Sequence, residues 1–121
     1  IGDEKFNINT IKSFDHYGCI ECYDVSAIEG RYCVSFGKDH IFYDYEEDSD
    51  DYEDDINKIP YANPHFITMV YTSKSCVRNV LQQDNFPNDI YIDNDCGLIL
   101  PIEKFKQIGM PLDKDDMLEI L

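Results

Sequence analysis

A run of twelve residues, Asp44–Asp55 (DYEEDSDDYEDD), limits what this chain can fold into more than any other feature. Nine of its positions are carboxylates. Like charges at this density repel one another and hold water, so the run cannot supply a core. The core has to come from the apolar segments on either side. In 121 residues with 43% hydrophobic content there is room for one such core, and not for two. We expect a single globular domain over residues 1–121, carrying an acidic loop at 44–58.

Apolar periodicity sketches the rest. Asn9 or Thr10 is placed to cap a short helix with Ile11 and Phe14 facing inward, ended at Gly18. Ile20–Val25 reads as a short strand or extended loop. Residues 31–36 and 40–45 alternate as a hairpin around Gly37-Lys38-Asp39, with Tyr32, Val34 and Phe36 on one face, and Ile41, Tyr43 and Tyr45 on one face of the second strand. Ile56–Pro64 is a connector. His65–Thr72 is a continuous apolar run with β-branched residues and aromatics that reads as a central strand, and Ser73 caps a helix over Lys74–Gln83 with Val77, Val80 and Leu81 inward. A second hairpin follows, from Ile90–Asp93 through Asn94-Asp95-Cys96-Gly97 to Leu98–Leu100. Pro101 opens a short helix, and Asp113 caps a last one with Met117, Leu118 and Leu121 as its stripe. These elements predict an α+β domain: an antiparallel-rich sheet of four or five strands with helices packed on one side.

Charge narrows the function. The formal net charge is −15 and the pI near 4.2. Phosphate contacts need Lys and Arg, so this chain is not expected to bind nucleic acid directly or to sit on an anionic membrane. Tyrosines interleave with the acids, which suits contact better than mere solvation. The expected partner-binding surface is Tyr43, Asp44, Tyr45, Glu46, Glu47, Asp48, Asp50, Asp51, Tyr52, Glu53, Asp54 and Asp55. Such a surface attracts a basic protein and speeds the encounter. An EF-hand loop would need spaced ligands and a central glycine, and the run has neither.

Five cysteines, Cys19, Cys22, Cys33, Cys76 and Cys96, do not make a paired disulfide framework and point to a reducing, cytoplasmic setting. His16, Cys19, Cys22 and Cys33 are the candidate metal ligands, through His-x2-Cys-x2-Cys and a later thiol. The usual second Cys pair is missing, so no metal or other cofactor is expected. No nucleophile elbow, P-loop or His-Glu-x-x-His pattern occurs, and an acidic run in water lacks the enclosed cleft that tunes a catalytic carboxylate. An enzyme is not expected.

The passage Ile90-Tyr91-Ile92-Asp93-Asn94-Asp95-Cys96-Gly97-Leu98-Ile99-Leu100-Pro101-Ile102-Glu103 resembles the hairpin-to-helix passage of small bacterial immunity proteins. These neutralise toxins of contact-dependent inhibition and other polymorphic toxin systems. The resemblance implies a cytoplasmic inhibitor that binds one cognate basic toxin domain, commonly a nuclease, one to one. Two alternatives stand beside it: a nucleic-acid mimic that occupies the site of a DNA- or RNA-binding protein, and a Cys/His metal-binding regulator.

Overall fold

A computed structural model describes residues 1–25, 27, 29–47 and 59–120. The chain runs α1 (Ile8–Lys12), β1 (Glu21–Asp24), β2 (Arg31–Ser35), β3 (His40–Glu46), β4 (Phe66–Tyr71), α2 (Lys74–Gln82), β5 (Tyr91–Asp93), β6 (Ile99–Pro101), α3 (Ile102–Gln107) and α4 (Lys114–Ile120). The fold is an α+β single domain. Strands β1-β2-β3-β4 form an antiparallel sheet in that order, and β5-β6 form a second, two-stranded one. This corrects the central strand expected over His65–Thr72: β4 is an outer strand of its sheet, with Thr68 and Val70 exposed where a central strand would be covered on both faces.

Alternation along the strands sorts the side chains as the sequence predicts. Val34 lies opposite Ile41, and Tyr43 lies between Tyr32 and Met69. Val34, Ile41 and Tyr43 are wholly buried. They join one apolar cluster with Ile11 and Phe14, with Val77, Val80 and Leu81 of α2, and with Ile102 and Phe105 of α3. A smaller cluster of Ile1, Ile59 and Phe66, flanked by Tyr61, Tyr91 and Ile99, lies on the other side of the sheet plane. Among the described residues, helix α4 contributes no side chain to either cluster. Leu118 is 71% exposed, which corrects its place in an inward stripe, and Leu121 lies outside the described residues.

The short first helix is capped by Asn7, two residues before Asn9 and three before Thr10, the caps expected. The Asn7 side chain accepts from the Asn9 N–H while Thr10 Oγ1 accepts from the Asn7 N–H, a reciprocal capping box. This helix ends at Lys12, well before Gly18. In the β5–β6 turn, Asp95 (φ 57) and Gly97 (φ 96) adopt left-handed conformations. Asn94 Oδ1 stabilises that turn by accepting from the N–H groups of Cys96 (2.9 Å) and Leu98 (3.2 Å). Its Nδ2 donates to the Pro111 carbonyl at 3.0 Å, tying the hairpin to the approach to α4.

The chain start joins the two sheets. Gly2 exchanges backbone bonds of 2.9 Å in both directions with His65, just before β4. Ile1 exchanges bonds of 2.8 Å in both directions with Tyr91 of β5. Residues 1–2 thus sit as a fragment of strand between β4 and β5.

Candidate protein-docking cleft

Only part of the expected acidic surface behaves as such. Asp48, Asp50, Asp51, Tyr52, Glu53, Asp54 and Asp55 lie outside the described residues. Asp44, Tyr45 and Glu46 belong to β3 rather than to a loop. Tyr43 is a correction: it is 0% exposed and unavailable to a partner. Strand alternation turns it into the core, where its hydroxyl pairs with His16 Nε2 at 2.7 Å. Burial pushes the Tyr43 phenol upward and the His16 imidazole down to about 4, with the nearby Asp15 charge opposing the latter shift. Both stay neutral at pH 7. Asp44 is engaged by Arg31 through two bonds of 2.5 and 2.8 Å, and Arg31 also covers the Phe42 ring. Tyr45 shares a bond of 2.8 Å with His65 Nδ1. Glu46 and Glu47 are exposed.

The structure does not bring the four candidate metal ligands together. Cys22 lies opposite Val34 and Tyr23 opposite Cys33, so the side chains of Cys22 and Cys33 leave the sheet on opposite faces. His16 is turned into the core toward Tyr43. Cys19 and Cys22 alone approach, with their sulfurs 3.8 Å apart. Among the described residues, no three His, Cys, Asp or Glu side chains gather as a metal site.

A cleft of about 1040 Å³ opens between the outer edge of β4 and the β5–β6 hairpin. Val77 and Leu81 of α2 contribute to its lining from the core side. Ile1 and Phe66 close one end, and Leu112 and the first turn of α4 the other. The rim is acidic: Glu46, Asp93, Asp95, Asp113 and Asp115, against a single lysine, Lys114. Two of these acids are already engaged. Asp113 meets Lys74 at 2.6 Å, and that ammonium holds its carboxyl below the ordinary range. Asp93 accepts from the Asp95 N–H at 2.8 Å. Glu46, Asp95 and Asp115 are exposed and have no cationic partner among the described residues.

The far wall is braced by Asp116. It accepts from the Leu112 N–H (2.9 Å), from Arg78 (2.7 Å) and from Lys74 (3.1 Å). The Leu112 bond first, then the two cations, lower its carboxyl pKa, so the carboxylate persists and pins α4 to α2.

Sequence reasoning missed this cleft. Its acids come from β3, from the β5–β6 turn and from α4, and only the fold brings them together. The available signal was the flanking of Asn94 by two aspartates at a tight turn.

No helix is long and apolar enough to cross a membrane among the described residues. Comparison of the chain with protein-family models, with curated proteins and with solved structures gives no match in any of the three.

Proposed function

We propose that this protein is an immunity-type inhibitor: it binds one basic protein toxin and neutralises it, acting in the cytoplasm. The observation that carries this reading is the acid-rimmed cleft between β4 and the β5–β6 hairpin, with Glu46 on its rim at the point where β3 leads into the acidic run. An apolar interior under a charged rim is the make-up of a specific protein interface, with the core giving affinity and the rim giving rate and selectivity. A net charge of −15 extends the attraction beyond contact distance. Five free thiols accord with a reducing compartment. The hairpin-to-helix resemblance falls on β5, β6 and α3, so the passage that suggests the family also builds one wall of the cleft. A toxin nuclease, whose own substrate site is basic, is the partner chemistry that fits best. A nucleic-acid mimic calls for carboxylates spaced regularly along one face, whereas the five that line this cleft come from separate elements around one opening.

The test is affinity capture from the native host's lysate at low and high salt. One basic protein held stoichiometrically, and toxic when expressed without this chain, is the expected result. A spread of weakly held basic proteins, all released by salt, would overturn the reading and leave only a solvated polyanion.

A further inference from the structure

We propose that Cys19 and Cys22 form a reversible dithiol–disulfide site that exchanges with a small-molecule disulfide of the glutathione class. This goes beyond the inhibitor reading and stands whether or not that reading holds.

The backbone brings the two thiols together where spacing alone would part them. Three residues along a strand span about 10 Å and end on opposite faces of the sheet. Cys22 lies within β1, opposite Val34. Cys19 lies just before the strand, where Gly18 (φ 82) turns the chain and the Cys19 N–H donates to the His16 carbonyl at 3.0 Å. The Ile20 N–H donates to the Ser35 carbonyl at 2.8 Å and ties the bend to β2. The two sulfurs therefore stand 3.8 Å apart, in van der Waals contact. Turning the two side chains toward each other closes the gap to a bond of about 2.05 Å. Both thiols are exposed, so the turn displaces no core side chain.

The other three cysteines are set apart. Cys33 is 2% exposed and leaves the sheet on the face opposite Cys22. Cys76 belongs to α2 and Cys96 to the β5–β6 turn. The surface beside the pair is open: Tyr17 is 91% and Ile20 74% exposed, so a small disulfide can reach it. Screening from water, then Cys22 and the negative charge of Asp15, push the Cys19 thiol upward. Lys12, which lies over the Tyr32 ring, is committed to Asp24 at 3.0 Å. A pair whose reduced form draws no thiolate stabilisation holds its disulfide well against reduction. A ring of four residues removes little chain entropy, so the bond adds little as a staple and can open and close without unfolding the domain.

The exchange balances with the small disulfide as its only co-reactant. One cysteine, as its thiolate, attacks a sulfur of R–S–S–R. A protein–S–S–R bond forms, and R–S⁻ leaves and takes up the proton that the cysteine gave up. The second cysteine, as its thiolate, attacks the protein sulfur of that mixed disulfide. The Cys19–Cys22 bond forms, and the second R–S⁻ leaves and is protonated in turn. The protein loses two electrons and two protons, and the small disulfide becomes two thiols. Excess R–SH runs the same steps backwards. The sulfur contact makes the second step intramolecular, and so faster than attack by a free thiol. Closure locks Ile20 and Glu21 into a ring at the start of the exposed outer strand.

The test uses the whole chain, first reduced and then incubated with glutathione disulfide. Samples are quenched with acid, alkylated and mapped by peptide mass. The peptide holding Cys19 and Cys22 should appear unalkylated and lighter by two hydrogens, with Cys33, Cys76 and Cys96 oxidised at least about tenfold more slowly. Glutathione adducts at the pair should be transient. In Cys22→Ser an adduct at Cys19 should last at least about tenfold longer, because no neighbouring thiol resolves it. Cys19→Ser should behave the same way at Cys22, so the outcome does not hang on one variant. Excess reduced glutathione should reopen the bond with the circular dichroism spectrum unchanged. Adducts as long-lived in the native chain as in the serine variants would overturn the site. Disulfide-linked dimers as the main product would do so too, as would a Cys19–Cys22 bond that forms only in urea, because the folded geometry would then play no part.

Discussion

The two outer strands of the four-stranded sheet carry the same backbone groups into different surroundings. At β1 every residue is exposed, and Cys22 and Asp24 turn their free groups to open water. At β4 the free groups of Ile67, Met69 and Tyr71 face a second strand edge across a slot lined by α2 and rimmed with acid. An edge alone invites any strand, and proteins blunt such edges with shortness and charge. Strand β1 follows that practice: it is four residues long, and Lys12 holds Asp24 at 3.0 Å beside it. Strand β4 is enclosed instead, its outward side turned to the acid-rimmed cleft rather than to open water.

Breaking the core beneath both edges should have the largest effect and leave their difference intact. His16→Phe removes the partner of the buried Tyr43 hydroxyl and should cost about 1–3 kcal/mol at pH 7. The imidazole also makes stability depend on pH. Its folded pKa lies near 4, below the unfolded value of about 6.5, so its contribution is complete above pH 6.5 and is lost as pH falls through 4. Urea unfolding from pH 7 to 4 should show the native chain losing up to roughly 3 kcal/mol through this group, a component missing from the variant. Parallel profiles for the two proteins would contradict the assignment.

Gly2→Ala strikes β4's side alone. A Cβ there would lie 2.5 Å from the Phe6 Cβ, which the backbone of both residues must move to relieve. We expect a loss of about 1–3 kcal/mol in urea melts, as for other overpacked sites. Faster amide exchange at Gly2 and His65 should accompany it, with exchange in β1 unchanged.

Charge changes sharpen the comparison further. Asp44→Asn breaks the pair with Arg31 on the half-exposed sheet face, and should cost at most about 1 kcal/mol in urea melts. Asp95→Asn with Asp115→Asn should leave melting unchanged. It should slow association with the basic partner protein by about two- to fivefold at low salt in stopped-flow mixing, the difference vanishing at high salt.

Much of the fold was legible in the sequence. Alternation through Tyr32–Phe36 and Ile41–Tyr45 gave the central hairpin and its inward face, and the spacing of Val77, Val80 and Leu81 gave α2 and its buried stripe. Pro101 marked the start of α3. The same alternation, carried one step further, puts Tyr43 in the core, and it was the nearness of the acids that suggested a surface role. The cleft was hidden for a different reason. It depends on Gly2 meeting His65 and Ile1 meeting Tyr91 across long stretches of chain, through backbone atoms that carry no residue signature. Asp95 and Asp115 look like ordinary turn and helix-start acids until the fold sets them round one opening.

The most direct measurement is amide hydrogen exchange along β4 in the protein alone, resolved residue by residue. Thr68 and Val70, bonded to β3, should exchange slowly, while Ile67, Met69 and Tyr71 exchange far faster. That alternation would establish an unpaired edge facing the slot. Uniformly slow exchange from Ile67 to Tyr71 would mean that the edge is already paired.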